Sequence, residues 1–224
     1  MAIGRHEVEG RPLAEDLLYI ARRDEKKAHE GRLTVYLGYS AGVGKTYSML
    51  QDALQRLREG KDVVIGYIEI HDRPETNVLV SNFEVIPRVS IEHHGLSLKE
   101  MDLDAIIRRH PQIVLVDELA HTNPPSSRHV KRYQDVEEIL QAGISVYTTV
   151  NIQHVESQND AVAQIIEIRV SEIVPDAFFS NADKIRLIDI TPEELNIRLK
   201  AGKVYVKNIA EAAIQSFFQN RKSP

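Results

Sequence analysis

The sequence has 224 residues and a net charge of -5; 42% of its residues are hydrophobic, 27% are charged and none is cysteine. This size and composition are typical of one large globular α/β domain. The negative charge balance argues against a general nucleic-acid-binding surface, and the lack of cysteine excludes disulfides, Cys-ligated zinc and thiol catalysis. No apolar run is long enough to span a bilayer and no hydrophobic signal region is present, so we expect a cytoplasmic protein without membrane contact of its own.

Helices and strands are predicted to alternate along the whole chain. The apolar periodicity predicts helices over 12–28, 45–59, 75–83 (weak), 103–109, around 133–140, over 155–166 and over 208–219, with a further helix start at Thr191. Strands are predicted from Leu33 and over 62–70, 113–118, 144–150 and 184–190, and an extended segment over 85–92. This alternation indicates an α/β fold, with a mainly parallel sheet and helices on both faces.

The stretch LTVYLGYSAGVGKT (33–46) is typical of a phosphate-binding loop between a strand and a helix. In such loops the backbone amides and the helix dipole bind an anion, the lysine reaches the β- and γ-phosphates, and the threonine binds Mg²⁺. The candidate phosphate ligands are therefore Gly42, Val43, Gly44, Lys45 and Thr46. The strict pattern has a glycine five residues before Gly44, where this chain has Tyr39, so the geometry of the loop is an open question.

This loop indicates a P-loop NTPase-like fold and a division of the chain into three parts. We expect an N-terminal arm and peripheral helix over 1–30, a P-loop nucleotide-binding α/β domain over 31–200, and a C-terminal helical extension over 201–224. Because ligands of open parallel sheets bind beyond the carboxyl ends of the strands, polar residues that follow later strands are expected beside the loop.

Two acidic residues follow the apolar run 113–116. Asp117 is expected to hold Mg²⁺ together with Thr46, partly through water. Its alternative role is to cap the next turn. Glu118 is the candidate catalytic residue, because an adjacent acid of this kind orients or deprotonates the attacking water in some P-loop ATPases.

Further candidate ligands follow other strands. Thr149, Asn151 and Gln153 would place polar groups near a γ-phosphate, although such residues also form ordinary turn hydrogen bonds. Arg73 and Arg128 are candidates to contact phosphate oxygens, and each is equally compatible with a surface ion pair.

Three segments carry a family resemblance: VYLGYSAGVGKTYSML (35–50), IVLVDELAHTNPPSSRHVKRYQDVEEIL (113–140) and ISVYTTVNIQHVESQND (144–160). They closely resemble the N-terminal domain of the bacterial potassium-sensing histidine kinases of the KdpD family, and the likeness extends from about Pro12 to Phe218. It matches Gly44, Lys45 and Thr46 to the end of the Walker A motif, and Asp117 and Glu118 to the end of Walker B.

The resemblance implies ATP and Mg²⁺ as ligands and a regulatory role in potassium and osmotic-stress signalling. In that family this cytoplasmic domain tunes the balance of kinase and phosphatase activities of a distant transmitter module, in proteins anchored in the inner membrane by downstream helices. The partners it implies are the rest of the sensor kinase and, through it, the response regulator KdpE; a homodimer is a further possibility. The kinase core of full-length members lies outside this sequence, so ATP hydrolysis would be slow at most.

Two other functions remain open from the sequence. One is a stand-alone P-loop ATPase or small-molecule kinase, and the other is a docking scaffold with a vestigial loop. ATP turnover would distinguish the first from a regulatory domain, and a lack of nucleotide binding would favour the second.

Overall fold

The computed structural model describes residues 29–69, 74–93, 96–160 and 170–190, together with Glu194 and Ile197. The helices predicted over 12–28 and 208–219, the helix start at Thr191 and most of the helix over 155–166 lie outside these residues. Within the last of these, residues 156–160 are helical. The three predicted parts of the chain remain a prediction.

A six-stranded parallel sheet forms the centre of the fold. Its strands, with those of a separate hairpin, are β1 (Leu33–Gly38), β2 (Val63–Tyr67), β3 (Glu84–Val85), β4 (Val89–His93), β5 (Leu96–Glu100), β6 (Ile113–Val116), β7 (Ser145–Asn151) and β8 (Lys184–Ile188). The order in the main sheet is β3-β2-β6-β7-β1-β8, and all its pairs are parallel. Strands β4 and β5 pair with each other as the antiparallel hairpin.

Helices cover both faces of this sheet. They are α1 (Lys45–Arg58), α2 (Pro74–Val80), α3 (Leu103–Arg109), α4 (Arg132–Gln141) and the single turn α5 (Asp176–Phe179). The side chains of a strand alternate between faces, so neighbours such as Val35 and Tyr36 enter different hydrophobic clusters. Val35 packs in the cluster that contains Ile106 of α3 and Ile139 of α4, whereas Tyr36 packs with Met49 of α1. The predicted α/β fold is thereby confirmed.

Strands β2 and β6 are buried along their whole length, which explains why an uninterrupted apolar run marked each of them. Two of the strands and α-helices named above were not predicted from the sequence. Strand β5 belongs to a hairpin outside the main sheet and has no continuous apolar run. Helix α5 is only four residues long, too short for a helical period to be recognised.

The parallel arrangement brings the carboxyl ends of β1, β6 and β7 to one edge of the sheet. Strand β7 lies between the other two, with Thr148 paired to Val35 on one side and to Val116 on the other. In the described part of the chain, no helix is long and apolar enough to cross a bilayer.

Candidate phosphate-binding site

The segment that joins β1 to α1 curls around the N-terminus of that helix. Gly42 and Gly44 have φ angles of 84° and 102°, a left-handed conformation that side chains disfavour and glycine tolerates. Gly44 is the N-cap, no side chain caps the helix, and the first turn contains no acid. The first turn of α1 therefore keeps its positive electrostatic character, which suits an anion.

Tyr39 is compatible with this loop. Its φ angle is not positive, so its backbone has no need of glycine, and its hydroxyl donates to the Ile190 carbonyl oxygen at 3.1 Å. The lack of a side chain matters one position earlier, at Gly38. A Cβ on Gly38 would lie 2.6 Å from Val43 Cγ2 and 2.9 Å from Lys45 Cδ. The close packing at Gly38 thus favours glycine there, one position before the place that the strict pattern gives it.

Lys45 is buried and its ammonium is positioned by two oxygen atoms. Its Nζ donates to the Ser40 carbonyl at 2.9 Å and to Asn151 Oδ1 at 2.5 Å. The first contact lies within the loop and the second comes from the end of β7. Asn151 thus contributes to the site by holding the lysine.

Asp117 forms hydrogen bonds with three residues, Thr46 of α1, Thr149 of β7 and Tyr67 of β2. The Thr46 hydroxyl lies 3.1 Å from Asp117 Oδ2, and the Thr149 hydroxyl donates a short hydrogen bond to Asp117 Oδ1. The Asp117 amide donates to the Tyr67 carbonyl at 2.8 Å. A hydroxyl and a carboxylate beside the N-terminus of a helix are oxygen ligands of the kind that Mg²⁺ prefers.

Glu118 has an unusual backbone conformation. Its φ angle is 57°, one of two positive values among the described residues other than glycine. Such a conformation costs roughly 1–2 kcal/mol for an ordinary residue. Burial raises the pKa of Glu118, the adjacent Asp117 carboxylate raises it further, and the nearby Arg132 guanidinium opposes this rise. A carboxyl group with a raised pKa on a strained backbone, in a cavity shared with a lysine and a second carboxylate, is a candidate for chemistry.

Arg132, which the sequence analysis did not single out, lies behind these two acids. Its side chain is completely buried and its Nη1 donates to the Asp117 carbonyl at 3.3 Å. Its Nη2 pairs with Glu100 Oε2 at 3.0 Å. No property of the sequence marks an arginine as buried, although its position at the first residue of α4, where the helix dipole disfavours a cation, is a weak signal.

A cavity of about 180 Å³ lies between these groups. Seven of the predicted site residues line it: Gly42, Lys45, Thr46, Asp117, Glu118, Thr149 and Asn151. The other lining residues are Ala41, Leu119, Ala120, His121, Val150, His154 and Glu172. Glu172 was missed, and its carboxylate accepts a hydrogen bond from the Thr122 amide at 2.8 Å.

The remaining predicted ligands lie elsewhere. Val43 is buried beneath the loop, and Gly44 forms the helix N-cap. Gln153 does not line the cavity; its carbonyl accepts from Asn159 Nδ2 at 2.8 Å. Arg128 is not brought to the cavity either and instead pairs with Asp104 and with Glu138, which matches the surface-ion-pair alternative. Arg73 lies outside the described residues.

The family of the chain is clear from comparison with known proteins. The model of the family described as KdpD, osmosensitive K⁺ channel His kinase sensor domain, matches residues 29–222. The chain belongs to the KdpD sensor domain family. The predicted resemblance is therefore confirmed, and it includes every residue of the cavity.

Several KdpD proteins are similar to this chain. The Sensor protein KdpD of Clostridium acetobutylicum is 49% identical over 208 residues, which cover 93% of this chain and 23% of that protein. That of Escherichia coli is 50% identical over 192 residues, 85% of this chain and 21% of that protein. The Putative sensor protein KdpD of Synechocystis sp. is 48% identical over 191 residues, 85% of this chain and 52% of that protein. The chain thus spans between about a fifth and about half of these KdpD relatives.

Proposed function

We propose that this chain is the cytoplasmic, regulatory ATP-binding domain of a potassium and osmotic-stress sensor kinase. The observation that carries the proposal is that Lys45 and the hydrogen-bonded pair Thr46–Asp117 line one cavity at the N-terminus of α1. An ammonium, an uncapped helix start and a hydroxyl–carboxylate pair supply the three things a magnesium–nucleotide complex requires: a cation, backbone donors and oxygen ligands for the metal.

The proposed roles follow from the chemistry of each group. Lys45 would contact the β- and γ-phosphates, and the amides that follow Gly42 would bind phosphate oxygens. Thr46 and Asp117 would hold Mg²⁺, the acid partly through water. The cavity is smaller than the roughly 300–1,000 Å³ of sites that enclose a whole ligand, so it suits the phosphate part of the nucleotide.

A regulatory role gains support from the contact between Lys45 and Asn151. A bound γ-phosphate would compete with the Asn151 side chain for the same ammonium, so the end of β7 would respond to the nucleotide state. We propose that the rest of the sensor kinase receives this response and passes it to the response regulator KdpE. The names of the similar proteins support a sensor function for the whole protein of which such a domain is a part.

The binding proposal is tested by titration calorimetry with Mg-ATP. We expect Lys45→Ala to weaken binding sharply, because hydrogen bonds to charged groups are worth about 1.5–3 kcal/mol, or roughly 10- to 150-fold in affinity. Lys61→Ala, which removes an exposed lysine outside the cavity, is the matched control. Equal affinity of the wild type and Lys45→Ala would reject the assignment of the loop.

The nucleotide itself can be identified by thermal unfolding with ATP, ADP, GTP and cyclic di-AMP, each with and without Mg²⁺. A ligand that binds only the folded state raises the unfolding temperature, and the rank order identifies the preferred ligand. We expect the largest shift with Mg-ATP and none with cyclic di-AMP.

A second candidate function, a stand-alone ATPase, is favoured by the strained conformation of Glu118 in the cavity. It predicts turnover of about 1 s⁻¹ or faster, lost in Glu118→Gln. Slow or absent turnover combined with tight binding would favour the regulatory function. A chain that binds no nucleotide but binds other sensor domains tightly would be a docking scaffold.

A further inference from the structure

We propose that Arg132 is a positioning residue for the magnesium side of the nucleotide site, which it fixes from outside the cavity. The inference rests on the proposed function, since it concerns how the Asp117–Glu118 turn is held ready for a metal-bound nucleotide. Arg132 does not line the cavity and would touch neither the nucleotide nor the metal. Its effect would pass through the backbone of the two acids and through the ion pair with the Glu118 carboxylate, whose Oε2 lies 3.8 Å from Arg132 Nη1.

Burial and contacts set Arg132 apart from the other described arginines. Its side chain has no exposure, whereas those of Arg109 and Arg128 are 35% and 46% exposed. Its guanidinium carbon lies 3.8 Å from the centre of the Tyr67 ring, which covers one face of the group. Arg132 Nε has no hydrogen-bond partner in the described part of the chain.

The burial of Arg132 is not expected to increase the stability of the fold by itself. A buried ion pair is often no more stable than apolar side chains of the same volume, and an unpaired buried N–H is a further cost. The position at the start of α4 adds an unfavourable interaction with the helix dipole. A charged side chain kept under these conditions is better explained by what it positions.

The group it positions is the peptide between Asp117 and Glu118. Arg132 Nη1 donates to the Asp117 carbonyl, while the Asp117 amide donates to the carbonyl of Tyr67, the residue whose ring supports the guanidinium. On the other side, the Glu118 amide lies 3.3 Å from the Thr149 hydroxyl. These bonds fix both ends of the turn in which Glu118 has its positive φ angle, and so fix where the Asp117 carboxylate points.

Glu100 connects this turn to the β4–β5 hairpin. One Glu100 oxygen pairs with Arg132 Nη2 at 3.0 Å, and the other lies 3.1 Å from Nε2 of His121, which lines the cavity. Glu100 itself lies outside the cavity, at the last residue of β5. A change at the hairpin would therefore reach the magnesium side of the site through one carboxylate and one guanidinium.

The test compares ATP affinity with Mg²⁺ and with EDTA in Arg132→Lys, Arg132→Met and Glu100→Gln. Residues that orient a metal ligand typically contribute 10- to 100-fold to metal affinity. We expect Arg132→Met to lose roughly tenfold or more of the Mg²⁺-dependent gain in affinity, while affinity in EDTA stays the same. Lysine keeps the charge but not the planar fork, so Arg132→Lys should recover only part of the loss. Glu100→Gln should lose less than Arg132→Met.

The control is Arg109→Gln, which removes an arginine paired with two acids, Asp62 and Glu84, away from the cavity. It should lower stability without changing the Mg²⁺-dependent gain. Thermal unfolding of each variant checks folding, and if both Arg132 variants fail to fold, Glu100→Gln decides the outcome alone.

The results distinguish failure of the positioning role from failure of the proposed function. Equal losses with Mg²⁺ and in EDTA, or full Mg²⁺ dependence in the folded variants, would overturn the positioning role and leave the proposed function standing. A wild-type chain that binds no ATP under either condition would overturn the proposed function and this inference together.

Discussion

The Thr46 hydroxyl lies 3.1 Å from the carboxylate of Asp117, a residue 71 positions later in the chain. Thr46 lies in the first turn of α1 and Asp117 directly follows β6. Their contact joins the loop between β1 and α1 to the acidic turn after β6. Both line the cavity, as does Thr149, whose hydroxyl bonds to the same carboxylate.

The contact between Thr46 and Asp117 predicts which substitution removes the Mg²⁺ dependence of ATP binding. Thr46→Val removes the hydroxyl but keeps the shape of the side chain, so we expect ATP to bind with little benefit from Mg²⁺. Loss of one bond to a charged group corresponds to about 1.5–3 kcal/mol, or roughly 10- to 150-fold. Calorimetry at several Mg²⁺ concentrations measures the effect. Thr46→Ser should retain the dependence, and a valine variant with the wild-type Mg²⁺ response would contradict the prediction.

The close approach at Gly38 predicts a steric effect. In Gly38→Ala the new methyl group would meet Val43 and the stem of Lys45, so overpacking should destabilise the fold by about 1–3 kcal/mol and weaken ATP binding. Tyr39→Phe loses the hydrogen bond to Ile190, about 0.5–1.5 kcal/mol of stability, and should bind ATP as the wild type does. Urea unfolding and calorimetry separate the two effects. The opposite ranking, with Tyr39→Phe the weaker binder, would contradict the prediction and give the tyrosine hydroxyl a role in binding.

Glu100 predicts a pH dependence of stability. Burial alone would raise the pKa of Glu100, but hydrogen bonds and charges from His121 and Arg132 outweigh it, so the pKa lies below its ordinary value. Ionised Glu100 therefore stabilises the fold above the ordinary glutamate pKa of about 4.3, and this stabilisation is lost as the pH falls through the lower folded-state value. We expect the free energy of unfolding to decline more steeply below about pH 4.5 in the wild type than in Glu100→Gln. Urea unfolding across this range measures both, and parallel declines would exclude the effect.

The N-terminus of α3 predicts a stability change without a functional one. The Asp102 carboxylate accepts a hydrogen bond from the Ala105 amide at 2.8 Å, which caps the helix. Asp102→Ala should cost about 0.5–2 kcal/mol, whereas Asp102→Asn, an equally good cap, should cost much less. Because the cap lies outside the cavity, neither substitution should alter ATP affinity. A loss of affinity in the alanine variant alone would reveal a connection to the site that the contacts do not show.

The parts of the site that the sequence predicts well are those encoded locally. A loop of fixed spacing, an apolar strand and the acids after it all lie within a few residues of one another, and the parallel sheet brings strand ends to one edge. For this reason Lys45, Thr46, Asp117 and Asn151 lie together as expected.

The parts that it predicts poorly depend on contacts between distant residues. Arg128 and Arg132 are four positions apart in one polar segment, yet one forms surface ion pairs and the other is buried beneath the acids. The difference lies in their partners, Asp104 and Glu138 for one and Glu100 and Tyr67 for the other, and no local pattern identifies them.

The position of β7 between β1 and β6 has a consequence for how the site can vary. Side chains two residues apart share one side of a strand, so Thr149 and Asn151 extend from the same side of β7. The first bonds to Asp117 and the second to Lys45. A shift of β7 by one residue would turn both side chains away together. The cation that would meet the phosphates and the acid that would hold the metal are thus tied to a single strand, and a displacement of that strand would alter both at once.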